Sequence, residues 1–320
     1  LLEANRPKDM KRISLLVYED AVLSALSGPL DILVGTNRFL EEKGRPPAFE
    51  VELVSERLKN IRLHLPAQFI CQKTLAEATA TDLIIAPAFT GDPEAVLEKN
   101  RALIDWIEAM HRQGAEVASL CYGSYFLAEA GLLAGKACTS HWRTVDDMQR
   151  RYPEAEVLPD AVITDQEGVY TSGGAFSSLN LLLYLVEKFC GRAVCIEISK
   201  LFSVDMDRVS QAHFAVFQGQ RDHGDEEILK AQAYIEQHYD DDISIEEVAA
   251  RTNMSRRNFV RRFKKATHNT PLEYLQRVRV EAAKKGLETS TQTIGTLMYD
   301  VGYNDAKAFR EVFKRFTGLT

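Results

Sequence analysis

Two hydrophobic rhythms divide this chain. Up to about residue 204, short apolar runs alternate with stretches of helical period. ISLLVY (13–18), DLIIAPAF (82–89) and AEVASLC (115–121) are almost unbroken apolar segments bounded by turn residues, the pattern of strands buried on both faces of a sheet. FEVELVSE (49–56) and IRLHL (61–65) read as further strands, and AVITDQEGVYT (161–171) as a hairpin. Helical patterns fill the intervals. They run from Gly28 and Pro29 to about Lys43, from Pro93 through Trp106 and Met110 to Gly114, from Tyr122 to Ala130, and onward after Ser172, Gly173 and Gly174. Strand and helix in repeated alternation predict an α/β fold, a doubly wound parallel sheet covered on both faces.

The rhythm then becomes wholly helical. One helix is expected over 226–239, and Ser244 with Glu247 has the spacing of a capping box that opens a short second helix. After a tight turn at Thr252, Asn253 and Met254, Ser255 is placed to cap RRNFVRRFKKAT. There Phe259 and Phe263 share one face, and Arg256, Arg257, Arg261, Arg262, Lys264 and Lys265 cover the rest. The layout returns between Ile294 and Phe316: a short helix, a turn at Val301, Gly302 and Tyr303, then a helix with Phe309, Val312, Phe313 and Phe316 inward. This is an all-α domain of two helix-turn-helix units in tandem, joined by one long helix. An apolar stripe with a cationic outer face fits a DNA major groove. The outward candidates for DNA contact are Arg256, Arg257, Asn258, Arg261, Arg262 and Lys264 in the first unit, and Lys307, Arg310, Glu311 and Lys314 in the second.

Charge changes the weight of that reading. A single charged helix face is usually only solvated. Residues 251 to 320, however, hold 15 Lys and Arg against 6 Asp and Glu, a net +9, which leaves −16 for residues 1 to 250 of a chain whose total is −7. A basic block on an acidic chain is the electrostatic footprint of nucleic-acid binding. The length of 320 residues suits two domains. The expected division is a tail at 1–11, a first domain at 12–204, an acidic polar linker at 205–224 and a DNA-binding domain at 225–320. No apolar run approaches bilayer length, so no membrane partner is expected. Cys71, Cys121, Cys138, Cys190 and Cys195 are odd in number and lack metal-like spacing, which suits a reducing cytoplasm with no disulfide, no metal and no cofactor.

NMSRRNFVRRFKKATHNTPLEYLQRVRVEAAKKGLETSTQTI (253–294) and VGYNDAKAFREVFKRFTG (301–318) resemble the DNA-binding domain of the AraC/XylS family of transcription regulators. The resemblance implies homodimers on direct or inverted repeats of double-stranded DNA, and RNA polymerase as a partner. Asn253 and Asn269 stand where the family has glycines after its helices; asparagine tolerates positive φ, so both turns are expected to survive. Asp305, Ala306 and Lys307 replace a run that often carries serine, and the sequence stops at Gly318, Leu319 and Thr320, where the family continues into a short Pro- and Tyr-containing end. ASLCYGSYFLAEAGLLAGKACTSHW (118–142), together with ISLLVYED, GPLDIL and VYTSGGAFSSLNLLLYLVEKFCG, resembles the PfpI/ThiJ-like branch of the class I glutamine amidotransferase superfamily. That implies a flavodoxin-like sheet. Fusion of the two domains marks GlxA-type regulators, so the implied function is transcription regulation by a small effector, an amino acid or an amine, bound in the first domain.

Candidate chemistry centres on Cys121. It ends an apolar strand and opens a helix, a position that projects its side chain into the crevice at the carboxyl ends of the strands. A helix N-terminus there favours thiolate. A working nucleophile needs a base and a third group to orient that base; His141 is the best base, with Glu19 or Asp20 as the carboxylate. Three departures weaken catalysis: Tyr122 stands where catalytic members often have His, VYTSGGA (169–175) lacks a His-x-Glu, and Asn180 replaces a frequent aspartate. The expectation is therefore not an enzyme but a ligand pocket walled by Cys121, Tyr122, Glu19, His141 and Gly91. The alternatives are a cysteine-dependent hydrolase or hydratase, a redox-sensing regulator, or an inert thiol with His141 packed on Trp142.

Overall fold

The computed structural model describes residues 10–57, 59–174, 176–206, 210–217, 219–221 and 223–319. Residues 1–9 of the tail expected at 1–11 lie outside the described residues, and Lys11 already belongs to the first strand. The chain forms two compact units, residues 1–211 and 212–320.

In the first unit, β1 (Lys11–Leu16) leads to α1 (Leu23–Glu42), β2 (Phe49–Ser55), a hairpin of β3 (Asn60–Arg62) and β4 (Gln68–Ile70), and β5 (Lys73–Thr74). There follow β6 (Leu83–Ala86), α2 (Pro93–Lys99), α3 (Arg101–Arg112), β7 (Glu116–Ser119), α4 (Ser124–Glu129), β8 (Ala137–Cys138), α5 (Val145–Arg151) and β9 (Glu156–Val157). The hairpin β10 (Ile163–Gln166) and β11 (Val169–Ser172), then α6 (Ser177–Cys190) and α7 (Arg192–Phe202), close it. The main sheet has the order β10-β11-β7-β6-β1-β2-β5. Its pairs are parallel except β10 with β11. Ile84 sits opposite Ser14 on one side and Val117 on the other, and every residue of β6 is buried, as a central parallel strand requires. The chain steps from β1 to β2 on one side and crosses to β6 on the other, so a crevice opens at their carboxyl ends, where α/β folds bind ligands.

Three helix and strand limits differ from expectation. α1 starts at Leu23 and runs through Pro29, because proline removes only one intrahelical bond, to Ala25, while Leu26, Ile32, Leu33 and Leu40 bury the helix along its length. The pattern over 93–114 forms two helices rather than one. Asn100 (φ −109°, ψ 26°) breaks it by turning its side-chain amide onto the Val96 carbonyl at 2.8 Å. IRLHL holds only two strand residues, Ile61 and Arg62, which with Asn60 pair antiparallel with β4 outside the main sheet, since Pro66 lies in the turn between them. The 161–171 hairpin turns at Glu167 (φ 53°) and Gly168 (φ 82°), two left-handed residues that match the twist of its strands.

The second unit holds α8 (Glu226–Gln237), α9 (Ile245–Arg251), α10 (Arg256–Thr267), α11 (Pro271–Thr289), α12 (Ile294–Asp300) and α13 (Ala306–Thr317). Ser244 and Glu247 form the expected capping box, and Thr270 with Glu273 forms a second one ahead of Pro271. Two small cores result. Ile228, Ile235, Val248, Phe259, Phe263, Tyr274 and Leu275 make the first; Ala283, Leu297, Met298, Val301, Tyr303 and Phe309 make the second. The two ends of α11 serve one core each. Asn253 takes positive φ (54°) as expected, but after α10 the left-handed residue is His268 (φ 56°), not Asn269. Asn269 is held out of that conformation by local bonds, its N–H to Thr267 Oγ1 and its amide to the Thr267 carbonyl.

Candidate functional site

Cys121 follows β7 after one residue, Leu120, and carries φ 56°, a left-handed backbone that costs a non-glycine residue roughly 1–3 kcal/mol. Its surroundings hold it there. The Cys121 N–H points at Ser172 Oγ (3.4 Å), and its carbonyl accepts from Ser140 Oγ (3.2 Å), which in turn accepts from Ser124 Oγ (2.7 Å). Gly123 lets the elbow lie on β6: a Cβ there would stand 2.3 Å from the Ala86 carbonyl oxygen and 2.9 Å from that of Pro87. The Cys121 residue is 6% exposed.

Tyr122 and His141 do meet, edge to face, with ring centroids 5.5 Å apart, and Phe89 lies 5.6 Å from Tyr122. His141 also stacks obliquely on Trp142 (5.3 Å). It follows β8, which pairs with β9 in a side ladder and not in the main sheet. Its Nδ1 accepts from the Arg143 N–H (3.1 Å), so no carboxylate orients the ring among the described residues. Glu19 turns elsewhere: its side chain is 53% exposed and pairs with Lys99 Nζ at 2.9 Å. Asp20 is bonded by Lys99 (3.0 Å) and His64 (2.7 Å). Burial pushes the Asp20 carboxyl up, but its hydrogen bonds with Lys99 and His64 and the charge of the lysine outweigh it and hold the pKa below its ordinary value. Gly91 (φ 108°) lies beside Val96 near the start of α2, where only glycine takes that backbone readily. Cys121, Tyr122 and His141 thus share one site, while the carboxylate offered for the triad is spent on Lys99.

Burial first, then Arg143, lowers the His141 pKa below 6.5. The unfolded chain therefore binds more protons than the native one between the folded-state pKa and about 6.5, so stability rises with pH across that window. The contribution is complete above about 6.5 and is lost as pH falls through the folded pKa. Urea midpoints of the native protein should drop relative to those of His141→Gln as pH is lowered from about 7.5 to about 5. Parallel curves would show that the ring titrates normally.

On the second unit, Arg256, Arg257, Asn258, Arg261 and Lys264 are exposed on α10, and Lys307, Arg310, Glu311 and Lys314 on α13. Arg256 pairs with Glu246 (2.8 Å), both well exposed, and Arg261 donates to Asn258 Oδ1 (3.1 Å). Arg262 is different. It forks onto Asp225 through Nε (2.5 Å) and Nη2 (2.9 Å), and Asp225 also caps α8, so this arginine ties α10 to α8. Nothing in the residue pattern distinguished it from its neighbours, because Asp225 lies 37 residues away. Gln211, buried behind His141, was also missed: it lies in a stretch that reads as a polar linker. Among the described residues no cluster of metal-ligating groups occurs, and no helix is long and apolar enough to cross a membrane.

Comparison with known proteins agrees with both halves. Residues 248–320 match a helix-turn-helix domain. The chain is similar to the HTH-type transcriptional regulator GbdR of Pseudomonas aeruginosa, 26% identical over 243 residues, which span 76% of this chain and 65% of that relative. It is also similar to an isonitrile hydratase from Pseudomonas putida, 27% identical over 182 residues, covering 56% of this chain and 72% of the hydratase. Among solved structures, an AraC family transcriptional regulator from Pseudomonas putida superposes with a TM-score of 0.52 at 20% identity, over 60% of this chain and 99% of that one. With residues 11–188 matching throughout the sheet that carries the Cys121 elbow, the chain belongs to the DJ-1/PfpI family.

Proposed function

We propose that this chain is a sequence-specific DNA-binding transcription regulator, acting in the cytoplasm as a homodimer that works on RNA polymerase. Its DJ-1/PfpI domain holds a small-molecule effector, an amino acid or an amine, beside Cys121, Tyr122 and His141. One observation carries the reading: α10 buries Phe259 and Phe263, and α13 buries Phe309, each in a core of its own, and both helices leave a row of cations outward. Two such helices per chain suit two adjacent major-groove segments. The likeness to GbdR supports the same role. Selection of duplexes from random DNA by the full chain should enrich a site with two half-sites about one helical turn apart. Binding to it should weaken steeply with salt, and Arg257→Ala and Arg261→Ala should each abolish the sequence preference or lower the salt slope by about 1, with the first unit's melting unchanged. Failure to enrich any sequence, or unaltered binding in both variants, overturns the proposal.

A second reading, a cysteine-dependent hydratase, is favoured by the strained Cys121 backbone and by the likeness to isonitrile hydratase. It is the weaker one. Nucleophilic catalysis needs a base held by a third group, whereas His141 is held by a backbone N–H and Glu19 by Lys99.

A further inference from the structure

The segment that joins the two units is fastened at both ends, and one fastening lies in the wall of the Cys121 site. Gln211 is the last residue of the first unit and only 1% exposed. Its Nε2 donates to the carbonyls of Ser140 (2.9 Å) and Pro159 (3.0 Å), with Thr139 Oγ1 at 3.2 Å, and its Oε1 accepts the Gly174 N–H at 3.0 Å. The fit leaves no slack. A Cβ on Gly173 would stand 2.5 Å from Gln211 Oε1, and one on Gly174 would stand 2.8 Å from Cδ2 of His141. Through Ser140 and Gly174 the amide therefore holds the two segments that flank the His141 ring. Within the second unit, the strand of chain that follows is fixed to α11. The Ala215 carbonyl accepts from Lys284, the Phe217 N–H donates to Glu281 Oε2 (3.1 Å), and the Phe217 ring packs edge-on against Tyr274. The Arg277 guanidinium faces both Phe217 (5.7 Å) and Phe316 of α13 (4.6 Å).

We infer that Gln211 is a latch: the state of the Cys121 pocket sets whether its amide stays seated, and its seating sets how tightly the strap at 212–217 is held. This rests on the sensor reading given above and adds the route by which the pocket reaches the DNA-binding unit. The physical basis is that a buried amide with several partners has no inexpensive half-bonded state. A group that shifts His141 or Gly174 removes the Oε1 bond and leaves that oxygen buried without its donor, which favours release of the whole side chain. Such an element has two arrangements, as coupling between sites requires. The pocket and the strap then report on one another.

Amide hydrogen exchange on the full chain, without effector or DNA, tests this. Gln211→Ala should speed exchange about tenfold at both 172–177 and 210–217, with β1, β6 and β7 keeping their protection as the sign of an intact fold. Gly174→Ala, made at the pocket end, should loosen 210–217 to a similar degree. Gln211→Glu keeps an acceptor for Gly174 but loses the donors, so it should loosen 139–144 and 210–217 and spare 172–177. The latch is overturned by protection at 210–217 that stays native in Gly174→Ala, or by Gln211→Ala loosening 210–217 alone. Because no arm involves DNA, coupled exchange in a protein that binds no duplex would refute the regulator reading and leave the latch standing. Uncoupled exchange in a duplex-binding protein would refute the latch only.

Discussion

Alanine at position 123 should lower the melting temperature of the first unit by roughly 6–12 °C, from a cost of at least about 3 kcal/mol. The backbone of Gly123 is ordinary helical (φ −58°, ψ −18°), so alanine carries no conformational penalty of its own. The whole effect comes from a methyl group placed 2.3 Å from the Ala86 carbonyl oxygen. Neither partner is a side chain that can swing aside. That carbonyl also accepts the Leu120 N–H (2.9 Å), so relief by moving it would break the join between β6 and the elbow. Either the elbow lifts off β6, carrying Cys121 out of its left-handed conformation, or the sheet end deforms. A calorimetric scan that resolves the two units decides the matter; an unchanged first transition would show that the elbow has room the geometry does not allow.

Phe263→Ala should have the larger effect on DNA binding although the side chain is buried and not among the proposed contacts. Phe263 is fully buried and packs edge-on against both Phe259 and Tyr274, with centroids 5.4 and 5.3 Å away. Truncating such a ring costs about 3–5 kcal/mol, most of the stability available to a unit of this size. The second melting transition should fall by roughly 15–30 °C, and duplex binding at 37 °C should fall with it. Arg257→Ala, by contrast, should lose sequence preference while melting like the native protein. Phe263→Ala binding DNA normally at 37 °C would mean that α10 does not depend on its core.

The residue pattern made the sheet legible because parallel strands buried on both faces read as continuous apolar runs, as β6 does. It made α10 and α13 legible because the same layout, a short helix, a turn and a cationic helix with a phenylalanine stripe, occurs twice. It failed where one side chain decides the outcome. Asn100 ends α2 by bonding back to Val96, a choice that periodicity does not register. His268, and not Asn269, takes the left-handed position, because the Asn269 amide is engaged with Thr267. At the site, Cys121, Tyr122 and His141 could be placed together from the strand ends and the family resemblance. The diversion of Glu19 to Lys99 and the arrival of Gln211 could not, since both depend on contacts between segments far apart in the chain, Glu19 with Lys99 and Gln211 with Ser140.

The split core of the second unit has a consequence for how binding preference can change. α10 and α13 rest on separate clusters that meet at the half-buried Tyr239, with α11 as their common spine. Mutations at sites without shared partners combine additively. If the proposed function holds, an exchange at Lys307 or Arg310 would re-specify one half of the target while the other half, read from α10, would continue to hold the protein in place. On that reading a promoter could drift in one half-site and be followed by a single substitution, without passing through a protein that binds nowhere.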